Sequence, residues 1–396
     1  MPLAFARLAF GVAVTWSMRG RRTGATQEKR VLTIANHLGS VGGTETAQLA
    51  IFRALAERGW AVHLLYVSRG DFWPEWEALA ATTTQIRASI PTRSSPAGSS
   101  LATIAGAIAG VRESPSVVYV HNAGDLPIGL AIGAVARARV VTHLHLPPPF
   151  RQPSWLNALL RRSSAVIVPS PDTANRWVTA AGLDPSNVSV IPTGVDTDRF
   201  TPLEESRRHG VRDGIGVAGS DPMVLFVGRL EPNKGAHFLI DAVHRLSIRV
   251  RVVLCGTAES DDYLKQLQEA AAPGDLVTFL GQRSDVPDLM AAADLLVVPS
   301  DCFETQGLVV SEAMACGIPV VASDIGGLAA TMRGFPEQLV PAGDPTRLAV
   351  AIASYVSWRH DDPDLGNRAR AWAVEHMSLR RTIGAVDEAI TAALPP

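Results

Sequence analysis

Glu304 and Glu312 stand eight positions apart in the stretch FETQGLVVSEAMACG, residues 303–317, with an apolar run between them. Two carboxylates are common equipment for general acid/base chemistry. On one continuous helix, however, eight residues span about 12 Å and turn the side chains about 80° apart. Acids that flank a single glycosidic bond sit within about 5–10 Å of each other, so this spacing argues against joint work on one proton. The surrounding pattern places Glu304 in a loop after the strand-like DLLVVPS, and Glu312 one to two turns into the next helix. A carboxylate accepts two hydrogen bonds at once, which suits vicinal sugar hydroxyls. Two such grips held apart fit a ligand carrying two sugars, such as a sugar nucleotide. The plain alternative is a pair of solvated acids near a helix start, where the dipole favours them.

A second stretch, LFVGRLEPNKG, puts Gly228, Arg229, Lys234 and Gly235 in a loop between a strand and the helix AHFLIDAVHRL. A backbone turn with two cations at the carboxyl edge of a parallel sheet suits a diphosphate. Arginine brings a rigid fork and lysine a mobile point charge, and both would stabilise charge growing on a departing phosphate. The loop is not a Walker sequence, and no GxGxxG follows the first strand, which counts against nucleotide hydrolysis and hydride transfer. Gly42 and Gly43, in GSVGGTE, open a further loop whose bare amides can approach an anion; ordinary turn glycines would look the same. His121 ends the strand SVVYVH, and His145 ends VVTHLH before Pro147, Pro148 and Pro149. Strand ends of this kind point toward a ligand crevice, so each histidine is either a sugar-hydroxyl partner or a satisfied structural residue. SDIGGLAA (323–330) offers another glycine turn after a strand. Asp196 and Asp198 form a DxD, better read as a turn or cap than as a metal site. Trp155, Leu156, Leu159 and Leu160, with Arg161 and Arg162, make a short amphipathic helix that faces either the core or a lipid acceptor.

The elements that must position these residues alternate. From Val31 onward, strand-like runs at VLTIA, AVHLLYVS, SVVYV, ARVVTHLHL, SAVIVPS and VSVIP are separated by helical patterns. Residues 201–221 break the rhythm with polar, glycine-rich sequence and read as a junction. A second series then runs through MVLFVG, RVRVVLCG, LVTFLG, DLLVVPS and PVVAS, with helices between. Serial βα units imply parallel sheets covered on both faces. The fold class expected is α/β with two domains. The divisions expected are an extension over 1–30, a first domain over 31–205, a second over 206–375 and a terminal helix over 376–396 that crosses back to the first.

Composition agrees with a well-packed globular chain. Its 396 residues exceed one ordinary core, with 47% hydrophobic and 19% charged residues. A net charge of −2 gives no global field toward nucleic acid or lipid. Cys255, Cys302 and Cys316 form no CxxC and pair with no histidine at metal-ligand spacing, which fits small buried hydrophobes in a reducing cytosol. The first 24 residues carry an apolar run interrupted by Arg7 and followed by Arg19, Arg21 and Arg22. It is short for a membrane span, and reads either as a basic amphipathic helix on a membrane surface or as a frayed terminus.

Taken together, these residues resemble the retaining glycosyltransferases of family 4, over about residues 31–390. Glu304 and Glu312 match the E-x7-E motif, GRLEPNKG the donor-phosphate loop, VGGTE the first glycine loop, and VIPTGVDTDRF the strand leading to the hinge. The resemblance implies a GT-B fold, two Rossmann-like domains facing each other across a cleft, in a cytoplasmic protein with membrane association left open. It implies transfer of a hexose-type sugar from a UDP- or GDP-sugar to an acceptor hydroxyl, with anomeric configuration kept. Arg229 and Lys234 would hold the diphosphate and Glu312 the ribose. Glu304 would contact the sugar, with His121 near its reacting end and His145 on the acceptor side. Gly42, Gly43, Gly228, Gly307 and Leu308 complete the implied donor site. No metal or organic cofactor is expected, charge neutralisation falling to Arg229 and Lys234, and no nucleic acid partner. Two departures bear on the donor: Ala329 and Ala330 stand where the family often has proline and glutamate, and Thr193 where asparagine is common. A sugar-nucleotide epimerase or phosphorylase of the same fold, or a non-catalytic two-lobed sugar-binding protein, is the competing reading.

Overall fold

The computed structural model describes residues 29–39, 43–87, 96–149, 153–217, 221–272 and 274–394. They divide into two compact units, one comprising the described residues up to Ile191 together with those from Ile383 onward, the other Pro192–Thr382. The expected N-terminal extension, apart from residues 29 and 30, lies outside the described residues.

The first unit is built on seven parallel strands: β1 Arg30–Leu38, β2 Ala61–Arg69, β3 Thr82–Gln85, β4 Val117–Val120, β5 Arg139–His143, β6 Ala165–Val168 and β7 Val188–Val190. Their order is β3-β2-β1-β4-β5-β6-β7. The second unit has six: β8 Met223–Val227, β9 Arg251–Cys255, β10 Val277–Gly281, β11 Leu295–Val298, β12 Val320–Ser323 and β13 Leu339–Val340. Here the order is β10-β9-β8-β11-β12-β13. In both sheets the winding reverses beside the first strand, between β1 and β4 and between β8 and β11. Ligands of open α/β sheets bind outside the carboxyl ends of the strands at such a reversal.

Alternation along each strand feeds two layers of core. In β8, Met223 and Leu225 pack into one apolar layer while Val224 and Phe226 pack into the opposite one. In β1, Val31 and Ala35 face one layer and Leu32 and Ile34 the other. Each Val, Leu, Ile or Phe so removed from water stabilises the unit by about 1.5–3 kcal/mol. That two-sided burial is why the strands read as continuous apolar runs.

The stretch 201–221, read as a junction, contains the helix Glu205–Gly214. Its inner face is carried by Arg208 and Arg212, both buried and both paired with the carboxylate of Asp294, which also accepts from Arg359 Nε at 3.1 Å. A helix that buries guanidinium groups shows no apolar stripe. The division between units also falls after Ile191, so residues 192–205, grouped from sequence with the first half, belong to the second. The cause is local pairing: Val195 N donates to Met377 O and Leu379 N donates to Val195 O, each at 2.8 Å. At the other end, helix Leu379–Ala393 passes into the first unit from Ile383. Val386 and Ile390 are fully buried in that unit's core, and Asp387 accepts from Arg58 Nη1 at 2.9 Å and Trp60 Nε1 at 3.0 Å.

Candidate active site

In the second unit three loops meet at the carboxyl ends of neighbouring strands. The first, residues 228–235, follows β8; the second, 299–307, follows β11; the third, 324–325, follows β12 and leads into the helix Gly326–Thr331. Asp301 N donates to Asn233 O at 3.1 Å, and Gly327 N donates to Glu304 O at 2.7 Å, so the middle loop is tied to both neighbours. Gly235 makes the first tie sterically feasible. Its φ is +73°, and a Cβ there would lie 2.0 Å from the carbonyl oxygen of Pro299. Gly307 closes the middle loop at φ +74°, caps the helix Leu308–Ala315, and leaves no room for a Cβ against Leu328. Leu308 is the first residue of that helix, and Gly228 donates its N–H to Cys255 O at 3.0 Å.

Glu304 lies in the middle loop and Glu312 at the start of the second turn of the helix. Glu304 Oε1 accepts from Lys234 Nζ in a short ion pair and from Ser300 Oγ at 2.9 Å. Arg229, largely exposed, pairs with Glu231 at 2.9 Å. Glu231 is itself buried, and its Oε1 has no hydrogen-bond partner among the described residues. That oxygen is an acceptor at the base of the cationic loop, and its residue sits inside the GRLEPNKG motif without drawing attention from spacing alone. Glu312 is only partly exposed, and burial pushes its carboxyl up to about 7, with Arg199 pulling the other way. An acid so placed takes a proton easily until donors from a ligand favour its charged form. Gln306, buried beside Glu304, accepts from Thr193 N at 2.6 Å and donates to Thr193 O at 2.8 Å. The residue at 193 therefore acts through its backbone.

In the first unit, β4 and β5 are parallel neighbours with Val120 opposite Thr142. The two-residue period of a strand then puts Tyr119 and His121 on the same face as His143 and His145. His121 Nδ1 lies 3.4 Å from His145 Nε2, and His143 Nδ1 lies 2.8 Å from the Tyr119 hydroxyl. Burial holds all three imidazoles below their ordinary range, His145 at about 4, so each is neutral at pH 7. His143 is not among the residues that the sequence reading selects; the alternation HLH at the end of a strand is the signal that marks it. Gly43 opens the helix Gly43–Glu57 after β1, while Gly42 lies outside the described residues.

Asp196 Oδ1 accepts from Asp198 N at 3.0 Å and Arg199 N at 3.1 Å, so the DxD is a backbone-capping turn. The short helix Ser154–Leu160 buries Leu160 against the core and leaves Trp155 partly exposed. All three cysteines are free thiols. Among the described residues, no helix is long and apolar enough to cross a membrane.

Two open parallel sheets, each reversing beside its first strand, define the GT-B class of α/β protein, and comparison with known proteins agrees. A model described as Glycosyltransferase Family 4 matches residues 41–199, and one described as Glycosyl transferases group 1 matches residues 221–357. Anabaena HepE, solved in complex with UDP and glucose, has a TM-score of 0.77 and 25% identity, covering 91% of this chain and 99% of its own. A glycosyltransferase from Rickettsia africae reaches a TM-score of 0.79 at 18% identity over 93% of this chain and 99% of its own, which speaks for the fold alone. A D-inositol 3-phosphate glycosyltransferase of Geodermatophilus obscurus is 33% identical over 305 residues, 71% of this chain and 63% of the relative. One from Mycobacterium marinum is 32% identical over 61% of this chain and 51% of the relative. The matched region thus spans between half and two thirds of these curated relatives. The chain belongs to the family 4 glycosyltransferases.

Proposed function

We propose that the protein transfers a hexose from a nucleoside diphosphate to an acceptor hydroxyl with retention of configuration, and that UDP-glucose is the first donor to test. The observation that carries this reading is the convergence of three carboxyl-edge loops in the second unit, bringing Lys234 onto Glu304 with Arg229 in the same loop as Lys234. Glycine amides and two cations there suit a diphosphate. Glu312, on the helix that follows, is assigned the ribose hydroxyls, and Glu304 the hydroxyls of the sugar. His121 is assigned to the reacting end of the sugar and His145 to the acceptor side. Both are neutral imidazoles, able to share a hydrogen bond with a hydroxyl without a proton first having to be removed.

In this reading catalysis is electrostatic. As the bond from the anomeric carbon to the diphosphate breaks, charge grows on the leaving oxygens, and Arg229 and Lys234 stabilise it. The leaving phosphate takes the acceptor proton on the same face, so the chain needs no nucleophile of its own and no metal for this step. The UDP and UDP-glucose complexes of Anabaena HepE support the choice of nucleotide and sugar. The family sequence supports a hydroxyl acceptor, and the names of the curated relatives make a phosphorylated polyol a sensible acceptor to include.

The test is a thermal-shift screen of UDP, GDP, ADP and their sugar conjugates, followed by nucleotide release with and without acceptor. A ligand present at about 100 times its Kd stabilises the folded protein by about 2.7 kcal/mol, well within detection. Absence of any shift with all three nucleotides would refute the donor assignment.

A further inference from the structure

We propose that His121, His143 and His145 form a binding site for a borderline-soft divalent cation, with zinc the best match. The site lies wholly within the first unit and goes beyond the transfer reading, although it shares His121 and His145 with it.

Three observations carry the inference. First, one nitrogen from each imidazole falls within 4.8 Å of those from the other two. A tetrahedral ion with Zn–N bonds of about 2.0–2.1 Å needs its ligand nitrogens about 3.3 Å apart. The His121 Nδ1 to His145 Nε2 separation is already 3.4 Å, so side-chain rotations of about an ångström would close the set. Second, His143 Nε2 is buried and, among the described residues, has no hydrogen-bond partner. His143 is 1% exposed. Buried polar atoms almost always have a partner, and a cation would supply one to a lone pair that lacks it. Third, His143 has an orienting contact of the kind that metal-bound histidines show. The His143 Nδ1 to Tyr119 hydroxyl contact of 2.8 Å fixes the ring, and in the tautomer with the proton on Nδ1 the Nε2 lone pair is left for an ion.

Donor chemistry narrows the ion. Three imidazoles with no carboxylate among them suit zinc, copper, nickel or cobalt, and are poor ligands for magnesium or calcium. The arrangement is absent from a reading by sequence spacing because its members come from two strands 24 residues apart, joined only by the register of β4 and β5.

The test uses the full chain stripped with a chelator and then titrated with Co2+, followed by visible absorption, and with Zn2+, followed by calorimetry. One ion per chain is expected, with the intense absorption of tetrahedral Co2+. His143→Asn keeps a partner for Tyr119 but has no Nε2, and its affinity should fall by about 10–100-fold or more. His145→Gln is the second variant, and circular dichroism melts of both confirm folding. A weak octahedral Co2+ spectrum, no stoichiometric Zn2+ uptake, or uptake undiminished in both folded variants overturns the proposal.

Discussion

Lys234 and Glu304, from loops that follow the neighbouring strands β8 and β11, meet as an ion pair in the second unit. Both side chains are mostly buried, at 25% and 15% exposure. Arg229 is likewise matched by Glu231. The two cations assigned to the diphosphate therefore each have a carboxylate of their own, which holds them in place while the two pairs together carry no net charge. A diphosphate that arrives there adds negative charge beside Glu304 and Glu231, and has to win the cations by better geometry rather than by empty attraction.

Lys234→Ala leaves Glu304 with only Ser300 and should destabilise the second unit by about 1–3 kcal/mol, because a mostly buried charge loses its partner. Transfer should fall by about 100-fold or more. Adding Glu304→Gln should restore part of the stability and none of the transfer. Urea unfolding and initial rates of the two single variants and the double variant give the coupling directly. Wild-type transfer in either single variant would remove both residues from the site.

Glu312 makes stability depend on pH in a stated direction. Its folded value of about 7 lies above the ordinary 4.5, so between those values the folded chain holds a proton that the unfolded chain releases. The contribution is fully present below about 4.5 and is lost as pH rises through 7. Relative to Glu312→Gln, the wild type should lose about 1–3 kcal/mol between pH 5 and pH 8. Parallel pH profiles of unfolding for the two proteins would contradict this. If the ribose assignment is also right, donor binding near pH 6.5 should release a proton, visible as calorimetric heats that change with buffer.

Gly235→Ala should cost at least about 2 kcal/mol, since the left-handed backbone and the approach of Pro299 O act together. The added methyl pushes loops 228–235 and 299–307 apart, so nucleotide affinity should fall with stability. A thermal-shift titration with UDP on the variant reads both at once.

Asp294→Ala tests the ionic network under the helix Glu205–Gly214. Arg208 would keep only the exposed carboxylate of Glu205 and Arg212 only backbone carbonyls, a change expected to cost about 3–5 kcal/mol. Chemical denaturation measures it, and a loss below about 1 kcal/mol would mean that water enters the network readily.

Much of this was legible in the sequence, and the exceptions have causes. The central strands were readable because burial on both faces demands unbroken apolar runs, as in Val224–Phe226 and Leu295–Val298. β3 escaped notice because its sequence, Thr82–Gln85, is polar and only partly buried, and β13 because it is two residues long. The helix Glu205–Gly214 escaped because arginines fill its inner face. Within the site, Arg229, Lys234, Glu304 and Glu312 were visible by residue type and by their position after strands. The pairing of Lys234 with Glu304 was not, since 70 residues separate them and only the order β8-β11 brings them together. Glu231 does not stand out within GRLEPNKG because a lone acid beside two cations looks like ordinary solvated charge.

The segment from Ile383 onward has a consequence for biosynthesis. Val386 and Ile390 complete the core around β1 and β2, so the unit whose synthesis starts first is finished only after the ribosome has passed residue 390. Pro192–Thr382, being continuous, can condense earlier, and its partner must wait with an open apolar surface in the crowded cell. A gene fragment stopping at Ile191 should accordingly yield insoluble polypeptide, whereas the same fragment spliced through a short linker to residues 379–396 should be recovered in the supernatant.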